Sequence, residues 1–393
     1  MTGASTDDVY RPLAGVRVVD MSRLIVGSLA TVKLADLGAE VVKVEPPGIG
    51  DYLRTIPPMV DGVGVWHTLL DRNKKSVVLD VTKSDDDRER LRQLIDVADV
   101  VVDVSRPGGL KRFGIDLAEH RRRRPQLVAC SISPFGQTGP WADLPAHGLN
   151  MDSMAGVTAL QGEPGNEGFV QLAYTGLGQE AAADKAALSI VAAVVGARTT
   201  GEGAWIDISC WDAVVDNNRT AIAYLASTGH VPQEDYATMW GSMHRVYRSK
   251  DGRPVFIAVI EKKFWDQFCQ AIGREDLLGL WHGEEGGVDY GDLDQIPVIG
   301  EIIASRTADE WLDLFVKNGL PGSPLLTVRD VVASDHFAAR EMLEAVDGQR
   351  IANVASPIRW IDRPGGRPGR HPVPAPEVGE HTDEVFAEWL GDG

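Results

Sequence analysis

Cysteine is scarce: Cys130, Cys210 and Cys269 are the only three in 393 residues. They lie far apart without a C-x-x-C spacing, which excludes a disulfide framework and a zinc ribbon and leaves three core thiols. Long apolar runs are missing as well. No stretch reaches the ~18 residues that span a bilayer, and the opening M-T-G-A-S-T-D-D carries neither the basic nor the apolar region of a signal peptide. The expectation is a cytoplasmic protein with no membrane partner. Basic charge is in deficit, with 39 Lys and Arg against 57 Asp and Glu and a net charge of −18. A nucleic-acid backbone needs a basic face to displace its counterions, so nucleic acid is not expected as a partner. No period of ~20–50 residues recurs, which argues against a tandem-repeat architecture.

Hydrophobic residues make up 44% of the chain, enough for a large core or two domains. The first half alternates β-branched runs with helical segments: V-R-V-V-D (16–20), a helix from about Ser28 to Leu37, E-V-V-K-V-E (40–45), S-V-V-L-D (76–80), a charged helix from Ser84 to Val97, V-V-V-D-V (100–104) and Q-L-V-A-C-S-I-S (126–133). This is the βαβ rhythm of a parallel doubly wound sheet. Gly178 to Arg198 is rich in Ala, Val, Leu and Ile and reads as a long buried helix whose first turn points N–H groups at the residues before it. A hairpin turning at Lys250 to Arg253, a helix from about Phe264 to Gly273 and helices around 299–318 form a separate α+β unit. The end of the chain is proline-rich and leads into a capped helix.

An anionic ligand in so acidic a chain needs local clusters of Lys and Arg. They occur at Arg72 to Lys75, at Arg106 with Lys111 and Arg112, and at Arg121 to Arg124. The last spreads round a helix end, where it complements the macrodipole and reads as a solvated face. In V-E-P-P-G-I-G-D (44–51), Gly48 and Gly50 either let the backbone approach a ligand or shape a turn after a strand, and Asp51 is placed to cap the next turn of chain. Its glycine spacing is not a dinucleotide fingerprint, so nicotinamide chemistry is unsupported. His147, in an A-H-G turn, is either a surface residue or an acid/base group.

Several segments together carry a resemblance: L-A-D-L-G-A-E-V-V-K-V-E-P-P-G-I-G-D-Y-L-R (34–54), S-I-S-P-F-G-Q-T-G-P (131–140), P-A-H-G-L-N-M (145–151), Y-T-G-L-G-Q-E (174–180) and T-G-E-G-A-W-I-D (200–207). The chain resembles the class III CoA-transferase family, which includes formyl-CoA transferase, carnitine CoA-transferase and α-methylacyl-CoA racemase. The resemblance implies an α/β fold with a large Rossmann-like, doubly wound domain built from both chain ends (1–225 and 331–393), a smaller inserted α+β domain (226–330), and an interlocked homodimer. It implies an acyl-CoA and a small carboxylic acid as substrates, no permanently bound cofactor and no metal. It places Arg23, Leu24, Arg72, Lys74, Lys75, Arg106, Arg112 and Phe113 around CoA.

In this family the acyl group passes through a mixed anhydride with an aspartate at the start of a helix, a chemistry that needs a carboxylate nucleophile beside oxyanion-stabilising N–H groups. The matching position here is Gln179, and an amide cannot form the anhydride. The resemblance leaves three roles open: the neighbouring Glu180 as the carboxylate, His147 as a proton-transfer group in a racemase, or a CoA-binding chain that works beside a paralogous subunit. Asp184, one turn deeper, is the other nearby carboxylate and is expected to pair with Lys185. M-W-G-S-M (239–243) stands where formyl-CoA transferase has a glycine run, so Trp240 and Met243 suggest a bulkier lid and a larger acyl chain.

Overall fold

The valine-rich runs become a six-stranded parallel sheet. The computed structural model describes residues 10–158, 160–161, 168–169, 175–232, 240–346, 348, 350–363, 366–369 and 372–391. The strands are β1 (Arg17–Met21), β2 (Glu40–Glu45), β3 (Lys74–Val78), β4 (Val100–Asp103), β5 (Val128–Ser133) and β6 (Trp205–Ser209), in the order β3-β2-β1-β4-β5-β6. Every pair in it is parallel. This is the 3-2-1-4-5-6 order of doubly wound dinucleotide-binding sheets.

The large domain's helices are α1 (Ile25–Asp36), α2 (Val65–Leu70), α3 (Asp85–Val97), α4 (Leu117–Arg123), α5 (Leu149–Met154), α6 (Leu177–Thr200) and α7 (Cys210–Asn217). Successive strand residues point to opposite faces, so burial on both sides needs a continuous apolar run. Val18, Val41, Val100 and Val102 pack against α1, α6 and α7, whereas Val19, Val42, Val77 and Val101 pack against α3, α4 and the last helix. On α6 the buried positions are mostly small, Ala182, Ala183, Ala186 and Ala187, which lets this helix lie close to the sheet and to α1.

Two differences from the sequence reading matter. β6 is an addition, because an edge strand with Trp205 and Asp207 exposed lacks the continuous apolar run that marks the inner strands. β3 starts at Lys74 rather than at Ser76, which draws a lysine into the sheet.

Residues up to Arg219 and from Arg340 onward form one compact unit, and Thr220–Ala339 form the other. The inserted unit therefore extends beyond 226–330 at both ends. Its added segments include parts of helices Arg219–Thr228 and Val328–Ala333, neither of which buries a residue. Within it, β7 (His244–Arg248), β8 (Pro254–Ala258) and β9 (Gly322–Pro324) make an antiparallel sheet, covered by α8 (Lys262–Ile272), α9 (Ile296–Ile303) and α10 (Ala308–Asn318). Trp265, Phe268, Trp311 and Phe315 stack in its core. The final helix, α11 (Thr382–Leu390), returns to the large domain against α3 and β3. The side-chain cap expected of it does not form at His381; Thr382 Oγ1 instead accepts the Val78 N–H of β3 at 3.1 Å and ties the helix start to the sheet.

Candidate active site

The D-R-N-K-K run enters β3 with its cations engaged by the protein itself. Lys74 is buried, and its Nζ lies 3.1 Å from both Asp20 Oδ2 and Asp71 Oδ1. Lys43, on the neighbouring β2, lies 2.9 Å from Asp51 and 3.4 Å from Asp71 and donates to Ser28 Oγ at 2.6 Å. Burial alone would push the Asp71 carboxyl up, but Lys43, Lys74 and His67 hold it well below the carboxylate range. Arg72 is drawn to Asp36 at 2.5 Å, and Lys75 to Glu40, Glu384 and Glu388 at 3.2, 2.8 and 2.6 Å. Arg72, Lys74 and Lys75, expected near CoA, are thus each paired with carboxylates of the chain itself. The partners that sequence reading missed come from four other segments, and only the fold brings them to β3.

The glycine-rich turn serves the same network. A Cβ on Gly50 would come within 2.5 Å of Glu45 Oε1, so this glycine admits a close approach within the protein rather than to a ligand. Asp51 caps the short helical turn Tyr52–Arg54 and also accepts the Leu24 N–H with both oxygens, at 3.0 and 3.1 Å. Leu24 needs that anchor, since its φ of +65° is strained for a branched side chain just before α1.

The unpaired cations gather elsewhere. At the carboxyl ends of β1 to β4, where the strand order reverses, lies a crevice of about 620 Å³ lined by Arg23, Arg106, Arg112 and Phe113 among others. Open α/β sheets bind ligands at this switch point. Arg23 stacks over Tyr52 at 4.7 Å and Arg112 over Phe113 at 4.6 Å, while Arg106 donates to the Asp143 carbonyl at 2.5 Å. All three arginines are exposed, and among the described residues none pairs with a carboxylate. The turn that carries Arg106 needs its glycine, because a Cβ on Gly109 would meet Ser105 Cβ at 2.6 Å. Sequence reading missed Met21, Pro46, Leu79 and Asp143 on the same walls. In the Arg121–Arg124 cluster, Arg122 and Arg123 are exposed, whereas Arg121 and Arg124 are half-buried and donate to the carbonyls of Leu127, Gly203, Asp96 and Ala98.

From Asp143 the chain runs to His147, which is exposed and whose N–H donates to Asn150 Oδ1 at 2.8 Å. Next, the Gly148 carbonyl lies 3.2 Å from where a Cβ on Gly176 would stand, so the histidine turn abuts the start of α6. Gln179 and Glu180, in the first turn of α6, are half-buried, and their amides donate to the Gly176 carbonyl at 3.1 and 3.2 Å. The helix is capped from outside: buried Asp152 accepts the N–H groups of Leu177 and Gly178, each at 2.8 Å. Sequence reading missed Asp152, although G-L-G offers no capping side chain and calls for a borrowed one. Asp184 pairs with Lys33 of α1 at 3.1 Å, and Lys185 with Asp216, so the expected Asp184–Lys185 pair does not form. In the smaller unit Trp240 is exposed, but Met243 is wholly buried in that unit's core and cannot line a lid.

The model of "CoA-transferase family III" matches residues 13–382. An acetyl-CoA:oxalate CoA-transferase of Acetobacter aceti is 29% identical over 385 residues, 96% of each chain. A succinate–glutarate CoA-transferase of Agrobacterium fabrum is 30% identical over 400 residues, 96% of this chain and 95% of that one. The alpha subunit of a succinyl-CoA–L-malate CoA-transferase of Chloroflexus aurantiacus is 29% identical over 398 residues, 99% of this chain and 91% of that one. Among solved structures, a CAIB/BAIF family protein from Brucella suis superposes with a TM-score of 0.78 at 26% identity, over 97% of this chain and 100% of that one. With the match spanning nearly its whole length, this chain belongs to CoA-transferase family III and is an enzyme of the CoA-transferase type.

Proposed function

We propose that the enzyme moves CoA between carboxylic acids, holding the phosphates of an acyl-CoA at Arg23, Arg106 and Arg112 and presenting the thioester to the start of α6. The observation that carries this reading is the crevice at the switch point, where three exposed arginines lack carboxylate partners among the described residues. Arginine forks suit phosphate oxygens, and the stacked Phe113 and Tyr52 rings pre-orient two of them. Asp143 links the crevice wall to the His147 turn and so to α6.

In this reading Glu180 supplies the carboxylate. One of its oxygens attacks the thioester carbonyl, the C–S bond breaks and CoA leaves as the thiolate, giving a mixed anhydride. The acceptor carboxylate attacks the enzyme-side carbonyl of that anhydride and displaces the donor acid, and the thiolate then attacks the acceptor-side carbonyl, forming the new thioester and freeing the Glu180 carboxylate. Gln179 donates its amide N–H to the developing oxyanion. A second reading is favoured by the relative described as an alpha subunit: a paralogous chain completes the site. Helices Arg219–Thr228 and Val328–Ala333 bury nothing within one chain, which supports an interlocked dimer in either reading.

The test is CoA exchange by the purified chain between a thioester and free acids such as oxalate, succinate and glutarate, with hydroxylamine trapping of an acyl-enzyme. Exchange lost in Glu180→Gln supports the first reading. No exchange across the panel, with or without a co-expressed paralogue, contradicts both. Racemase chemistry at His147 would instead bring solvent deuterium to the α-carbon of a 2-methylacyl-CoA.

A further inference from the structure

The start of α6 already holds one carboxylate, and it is not at position 179. Asp152 is only 1% exposed and spends both oxygens on the N–H groups of Leu177 and Gly178. Its approach depends on glycine: a Cβ on Gly178 would stand 3.0 Å from Asp152 Oδ1 and 3.0 Å from Val214 Cγ2. Among the described residues no Lys, Arg or His pairs with Asp152. Its charge is balanced by the N–H groups at the start of α6. The titratable groups on the surrounding elements are Glu180 on α6, Cys210 and Asp212 on α7, and His147 ahead of α5. Burial, and then the nearby Asp152 carboxylate, push the Cys210 thiol up to about 12. Lys33 and Lys185 are engaged with Asp184 and Asp216 further along.

We propose that Asp152 and Gln179 form a single-charge pair: Asp152 is a positioning residue that occupies the anion-accepting start of α6, and residue 179 is neutral because a second carboxylate beside it is disfavoured. The pair explains how this enzyme keeps the helix start and the histidine turn locked together without an acidic residue at 179. Asp152, buried and doubly bonded, does not attack substrate. The proposal deepens the transferase reading and, in its acyl-enzyme arm, rests on it.

The experiment compares Gln179→Asp with Asp152→Asn/Gln179→Asp in the full-length protein. The first readout, taken without substrate, is the melting temperature from pH 4 to 8. A carboxyl introduced at position 179 stands one residue beyond the N–H groups that Asp152 accepts, and like charge there raises its folded-state pKa, so Gln179→Asp loses stability relative to the parent as pH rises from about 4 through that pKa. Removing the Asp152 charge lowers the midpoint of this loss by about one pH unit or more. The second readout is hydroxylamine-trapped acyl-enzyme mapped to residue 179 rather than to Glu180, at pH 7, at least about tenfold higher in the double variant than in Gln179→Asp. Gln179→Asp needs no change at Asp152, so its pH profile stands even where the double variant folds poorly. A Gln179→Asp profile parallel to the parent's, or unchanged by Asp152→Asn, overturns the single-charge pair. A shifted profile with no acyl-enzyme in either variant upholds the pair and counts against the transferase reading.

Discussion

Two groups of cations in the large domain look alike in the sequence and behave oppositely in the fold. Lys43, Lys74, Arg72 and Lys75 are satisfied by carboxylates of their own chain, whereas Arg23, Arg106 and Arg112 ring a crevice and have none among the described residues. Whether a basic cluster can bind an anion is thus decided by the groups the fold brings beside it. The two groups are also joined. Lys43 fixes Asp51, Asp51 holds the strained Leu24, and Leu24 follows Arg23 at the crevice rim. The buried charges build the scaffold on which the exposed ones are aimed.

The sharpest way to break this contrast is Lys74→Met. It leaves Asp20 and Asp71 short of a buried partner, and the expected loss is ~3–5 kcal/mol of folding stability by chemical denaturation, with CoA affinity of the remaining folded protein little changed. Acid should do the same more gradually. The carboxyls of Asp20, Glu45 and Asp71 are lowered in the folded state. Their stabilisation is therefore fully present above their unfolded pKa of about 4 and lost as pH falls through the folded values. Melting temperatures should drop steeply below about pH 4, and less steeply in a Lys74→Met variant stable enough to measure.

The βαβ rhythm, the core faces and the separate α+β unit are legible in the sequence because valine and alanine periodicity records burial directly. The crevice arginines are legible through the family's motifs. The pairing of Lys74 is not legible in the sequence because its partners Asp20 and Asp71 reach it only through the sheet and the α2–β3 turn. Asp152 escapes for a similar reason: it caps a helix that starts far along the chain, and no local pattern announces a borrowed cap. Gln179 is conspicuous, yet its meaning depends on that distant carboxylate.

On the other side of the comparison, Arg112→Ala should weaken CoA binding about tenfold while changing stability by less than about 0.5 kcal/mol. Its effect should shrink as salt is raised, since exposed charge is screened. The smallest effect is expected of Lys75→Ala. This half-buried lysine touches two exposed carboxylates and the half-buried Glu40, and losing it should cost at most about 1 kcal/mol of stability.

Calorimetric titration of CoA into the parent, Arg112→Ala and Lys75→Ala tests the division most directly. The expected result is a dissociation constant raised about tenfold by Arg112→Ala and altered less than about twofold by Lys75→Ala. Loss of affinity in Lys75→Ala, with Arg112→Ala binding like the parent, would contradict it.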